Sequence, residues 1–136
     1  MASDCIFCRI VAGELPATRV ADDERAIAIM DINPATDGHV LVLPRAHAVD
    51  LHDIADADLA ACARLAKAIA GRAAERLDAD GVTIIQSNGE AAWQTVFHYH
   101  VHVIPRYRGD PLKLPWVPGP GDPERIERIS RSYFSD

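Results

Sequence analysis

The sequence predicts an α+β fold, with an antiparallel sheet and helices to one side. Three observations carry that reading. Five short segments have the β-branched, alternating or continuous apolar character of strands. One segment in the middle repeats apolar residues at helical spacing. The order is helix, strands, long helix, strands, with links of hairpin length, which suits an antiparallel sheet. At 136 residues the chain is long enough for one domain with a core and too short for two comfortable ones.

Residues 6–12, "IFCRIVA", form a short helix ended by Gly13. "ATRVADD" and "AIAIMD" then make a hairpin around the acidic turn at Asp22 to Arg25. "DINPATDG" is a loop of turn formers that leads into the strand "HVLVLP". Next comes the long helix, with Asp56 as its cap. Leu59, Cys62, Ala66, Ile69, Ala73 and Leu77 share one face up to a stop at Gly81, and Cys62 is read as core packing. "VTIIQS" is a strand and "NGEAAWQ" a loop. After Arg108, "GDPLKLPWVPGPGDP" carries five prolines and cannot be regular structure. A last short helix starts after Asp122, with Pro123 in its first position and Ile126, Ile129 and Tyr133 on one side. Residues 1–108 are therefore read as the domain. Residues 109–136 are read as a proline- and glycine-rich tail packed on that domain or on a partner subunit.

The fifth strand, "FHYHVHVIP" at residues 97–105, holds three of the six histidines at every second position. A helix would scatter His98, His100 and His102. A strand places them on one face, at steps of roughly 7 Å. Phe97, Tyr99, Val101 and Val103 supply the opposite, buried face. A neutral imidazole can attack phosphorus or a carbonyl directly, given a neighbour to fix its tautomer and donors for the anionic oxygens. Gln94, Thr95 and Asn88 stand close by in sequence as such donors.

Cys5 and Cys8 have the spacing of half a zinc site. A thioredoxin-type pair would follow a strand at the start of a long helix, and no strand precedes this one. His47 is a candidate third ligand; spacing leaves the fourth open among His52, His98, His100 and His102. Such a closed site would be structural. Two free thiols, and a catalytic metal on the triad instead, both remain compatible with the spacing. The cysteine count is too low and odd for a disulfide framework.

Net charge is −6 with no basic block, so a nucleic-acid polymer is not an expected partner, whereas a small phosphate ligand is compatible. The apolar runs are strand-sized, which argues against a membrane span. The chain opens "MASDCIFC" without a basic, apolar leader, so a soluble cytoplasmic protein is expected.

The segment "QTVFHYHVHVIP" resembles the His-φ-His-φ-His-φ-φ signature (φ apolar) of the histidine triad superfamily. "CIFCRIVAGELPA", "MDINPATDGHVLVLPRAH" and "SNGEAAWQTVFH" resemble other family motifs in the same order, over roughly residues 4 to 108. The likeness is to the nucleotide-binding branch and its zinc-carrying bacterial members. It implies a HIT-like five-stranded antiparallel sheet with one long helix and short terminal helices.

It also implies a nucleotidyl hydrolase or transferase. The enzyme would act on the α-phosphate of nucleoside phosphoramidates or dinucleoside polyphosphates, through a nucleotidyl-histidine intermediate. A nucleotide-binding module with negligible turnover is the alternative. On matching positions, His100 would be the nucleophile and His102 a phosphate contact, with Thr95 and His39 (the family's fourth histidine) in the catalytic set. Asp31 and Asn33 would bind ribose, Asn88 and Gln94 the phosphate region, and Ile6, Phe7, Ile10 and Ile32 the base, in a family that leans to purines. One structural zinc per subunit would sit on Cys5, Cys8, His47 and His98, in a homodimer. Members often have glycine before the Gln-Ser/Thr pair. This chain has Trp93, which is expected to narrow the leaving-group side. His52 has no matching role.

Overall fold

A computed structural model describes residues 4–134. The elements are α1 (Ile6–Val11), β1 (Arg19–Asp22), β2 (Ala26–Met30), β3 (Val40–Pro44), α2 (Asp56–Arg76), β4 (Gly81–Ile85), β5 (Val101–Arg106) and α3 (Pro123–Ser132). A single 3₁₀ turn, Glu90–Ala92, lies inside the expected loop. The strands form one antiparallel sheet in the order β1-β2-β3-β5-β4, so the expected α+β architecture holds.

Both faces of the central strands are covered. Ala26, Ala28, Val40, Val42, Val101 and Val103 pack with Ala61, Cys62, Ala66 and Ile69 of α2. The alternate residues Ile27, Ile29, Leu41 and Leu43 pack with Phe7 of α1. Two-sided burial is why "AIAIM" and "VLVLP" read as continuous apolar runs. It also corrects the expectation that the helices lie to one side, because α1 and α2 cover opposite faces.

Four local expectations change. Asp56 does not cap α2; it is the first helical residue, and Ala55 occupies the cap without a side-chain bond. The helix stops at Arg76 rather than at Gly81, because Asp78 takes a left-handed conformation at φ 55°. The histidine strand begins at Val101, not at Phe97. Its partner β3 ends at Pro44, which has no N–H to extend a ladder. Residues 98–100 bond irregularly instead, Tyr99 N–H donating to the Ala48 carbonyl at 2.7 Å. Tyr99, Val101 and Val103 are buried as expected, but Phe97 is 48% exposed. Helix α3 starts at Pro123 with Asp122 as its cap, and none of its residues is buried. No helix among the described residues is long and apolar enough to cross a membrane.

Candidate active site and metal centre

The three imidazoles form a row, with His100 and His102 ring centroids 5.1 Å apart. Phe7, delivered by α1, meets His98 and His100 edge-on at 5.8 and 5.1 Å. It is buried, so its ring covers the row from the side opposite α2. Leu41 and Ile85 are the cross-strand partners of His102 on either side.

Hydrogen bonds assign a tautomer to each ring. The His100 Nδ1–H donates to the carbonyl of His98 at 2.7 Å, which leaves the lone pair on Nε2. The His39 Nδ1 accepts from the Ala35 N–H at 3.0 Å, so its proton sits on Nε2. That Nε2–H lies 2.9 Å from His102 Nδ1, which must then accept and carry its own proton on Nε2. Asp31 stands beside this pair, its Oδ2 at 3.4 Å from His39 Nε2 and 3.9 Å from His102 Nδ1. Burial lowers the pKa of His100 and of His39, in both cases against the opposing charge of Asp31. Burial, then His100 and His39, push His102 down to about 4. The row is therefore neutral at pH 7. A basic Nε2 and an Nε2–H on adjacent rings are the parts needed for in-line attack on phosphorus and for donation to a departing atom.

The second cluster joins the N-terminus to the sheet. Cys5, Cys8, His47 and His98 bring their ligand atoms within 4.8 Å of one another. His98 Nδ1 is 3.3 Å from Cys5 Sγ, 3.4 Å from Cys8 Sγ and 3.3 Å from His47 Nδ1. Cys8 Sγ lies 3.3 Å from His47 Nδ1. A tetrahedral zinc site has edges of about 3.3 Å between nitrogens and about 3.5 Å between nitrogen and sulfur. The donors fit as well: His98 Nε2–H donates to the Pro44 carbonyl at 2.8 Å, which turns its Nδ1 lone pair inward. Burial holds His98 down at about 4, and burial, then Cys5, raises the Cys8 thiol to about 11. All four residues fit a metal cation. Among the described residues the other candidate group is Asp31, His39 and His102, so His100 belongs to neither.

The remaining expected residues are distributed around these two centres. Asn33 lies in the Asp31 turn and donates its N–H to Asp31 Oδ1 at 2.8 Å, with Ile32 between them 89% exposed. Ile10 packs on the core face shared with Phe7. Ile6 and Thr95 line a cavity of about 420 Å³ beside Cys5 and His47, on the metal side. Gln94 is buried, and its amide serves backbone. Its Nε2 donates to the carbonyls of Val49 and Val96, and its Oε1 accepts from Gly89 N–H. Asn88 Oδ1 accepts from Leu51 N–H at 2.7 Å, and its amide pairs with Gln86. His52 is exposed. Sequence reasoning missed the backbone groups of Ala35, Pro44 and His98 that set the tautomers, since no residue type marks them. The alternation in β4 and β5 could have flagged Ile85, whose side faces His102.

Comparison with known proteins returns a consistent result. A family model described as HIT domain matches residues 12–109. The Bacillus subtilis protein named Protein hit is 39% identical over 139 residues, spanning 96% of this chain and 92% of that one. The Schizosaccharomyces pombe adenosine 5'-monophosphoramidase hnt1 is 33% identical, spanning 96% of each chain. A solved Zn-bound histidine triad family protein from Mycobacterium smegmatis is 44% identical with a TM-score of 0.80, covering 97% of this chain and 94% of that one.

Proposed function

Because the chain belongs to the HIT domain family, we propose that it is a nucleotidyl hydrolase acting on the α-phosphate of purine nucleoside phosphoramidates or dinucleoside polyphosphates. One observation carries the reading: the His100 Nδ1–H is committed to the His98 carbonyl, so its Nε2 presents a lone pair. That nitrogen attacks the α-phosphorus as the bond to the leaving group breaks. His102 Nε2–H donates a hydrogen bond to the departing atom, which leaves with the electron pair and takes its proton from solvent, and Asp31 with Asn33 holds the ribose. Water then displaces His100 from phosphorus, releases the nucleoside monophosphate and gives its proton to solvent. Gln94 and Asn88 support this by fixing the loops around the site, and Phe7 excludes water from the imidazole row. The relative named as an adenosine 5'-monophosphoramidase supports the substrate class.

One zinc ion per subunit would be held by Cys5, Cys8, His47 and His98. With four protein ligands it leaves no open position, so its chemistry there is structural. The Zn-bound relative supports this assignment. We assign residues 1–108 to the catalytic domain and residues 109–136 to a tail that meets a second copy in a cytoplasmic homodimer. The exposed Ile126, Ile129, Tyr133 and Phe134 support such a partner.

The test is hydrolysis of adenosine 5'-phosphoramidate with acid-quenched mass spectrometry. The expected result is a transient mass increase of one nucleoside monophosphate, lost together with turnover in His100→Ala. Binding of the nucleotide by the wild-type protein with neither adduct nor product would establish a binding module instead.

A further inference from the structure

Trp93 holds a backbone conformation that a bulky residue rarely adopts, at φ 74° and ψ 18°. The turn beneath it is pinned. Trp93 N–H donates to the Glu90 carbonyl at 3.0 Å, and Gln94 N–H to the Gly89 carbonyl at 3.1 Å. The buried Gln94 side chain closes the turn by accepting from Gly89 N–H at 2.7 Å. Strained residues persist where such bonds over-determine them, and they concentrate at binding sites. Core packing does not account for this one, because the residue is 67% exposed.

What the indole does face is a cavity of about 450 Å³, walled by Trp93, Ile85, Ala91 and Ala92 and rimmed by Ser87 and Asn88. Ile85 is the cross-strand partner of His102. Directly opposed residues of an antiparallel pair point to the same face. Through Ile85, the cavity therefore lies on the same face of the sheet as the His102 imidazole. Its wall is an aromatic plane with aliphatic neighbours, and its rim carries the Ser87 hydroxyl beside the Asn88 amide, which Leu51 and Gln86 hold in place. That lining suits a flat ring with a polar edge.

We propose that this cavity is the leaving-group subsite, and that Trp93 selects substrates whose leaving group carries a planar aromatic ring. The proposal rests on the reading of His100 as nucleophile. As the His100 Nε2–P bond forms, the P–N bond to the amine breaks and the electron pair leaves with nitrogen. The nitrogen accepts a hydrogen bond from His102 Nε2–H and takes its proton from solvent, while the ring stays stacked on the indole. Water completes the turnover by displacing His100 from phosphorus and giving its proton to solvent.

Two adenosine 5'-phosphoramidates separate planarity from bulk: one of 2-phenylethylamine, the other of 2-cyclohexylethylamine. For the wild-type protein kcat/KM is expected to favour the phenyl compound about fivefold. In Trp93→Gly, whose backbone suits that conformation, the preference falls to near one, and Trp93→Phe retains most of it. Hydrolysis of both compounds with a ratio near one in wild type, or with a ratio unchanged in Trp93→Gly, overturns the subsite alone. Hydrolysis of neither compound, nor of the unsubstituted phosphoramidate, overturns the nucleophile reading and the subsite with it.

Discussion

The backbone amide of Ala35 does not touch His102, yet through His39 it decides where the His102 proton lies. It occupies His39 Nδ1, His39 Nε2–H occupies His102 Nδ1, and the donor is left on the outer nitrogen. Replacing His39 with phenylalanine keeps the ring and removes the relay. We expect kcat/KM to fall by about 10- to 100-fold, with the His102 nitrogen pattern in ¹⁵N NMR changing from one tautomer to a mixture. The pH profile carries a second mark. An ordinary imidazole is half protonated near about pH 6.5, but burial and its neighbours hold His102 near about 4. His102 therefore keeps its neutral Nε2–H form well below pH 6, and on the proposed mechanism kcat/KM should stay level through the range where a normal histidine titrates. The triad's residue types and their common face were legible in the sequence. The unequal roles of the three rings were not, because the groups that differentiate them are carbonyls and amides.

Elements show where pattern succeeds and where it stops. Helix α2 was legible because Cys62, Ala66, Ile69 and Ala73 recur at helical spacing, and all four are buried. Ile69→Ala should cost about 2–4 kcal/mol, read by chemical denaturation. The N-terminal limit of β5 was not legible, since alternation continues through residues 97–100, beyond the last β3–β5 pair at Val42 and Val101. Gly38 shows the converse, a position whose demand is hidden until the chain is folded. It sits at φ 92°, and a Cβ there would meet Leu77 Cδ1 at 2.4 Å. Gly38→Ala is expected to destabilise by at least about 1 kcal/mol and to disturb His39 next to it. At Trp93 the sign reverses: glycine relieves the left-handed strain and should stabilise the fold by about 1 kcal/mol. The expected gain in melting temperature is measured on the same variant that loses selectivity.

At the scale of the whole chain, two fastenings stand out. Where β5 ends, Asp110 takes a fork from Arg106 at 2.7 and 2.8 Å, and accepts the N–H groups of Tyr107 and Leu112. The guanidinium, then the Tyr107 N–H, hold its carboxyl well below the usual carboxylate range. A depressed pKa gives stability that is complete above the unfolded value of about 3.9 and is lost as the pH falls below it. Asp110→Asn should flatten that acid limb of the stability profile. The other fastening ties Cys5 and Cys8 to His98. Cys5→Ala is expected to abolish metal binding, measured as zinc per subunit, whereas His100→Ala retains it. Tying chain positions so far apart also makes His98 a shared hinge between two processes. Its ring turns toward the cysteines while its carbonyl grips His100, so whatever the metal does to the nucleophile must be answered in kind. If His100 takes up a nucleotidyl group as proposed, thermodynamic reciprocity then requires that any change a bound zinc makes in that equilibrium be matched, by the same factor, in the affinity of the loaded protein for zinc.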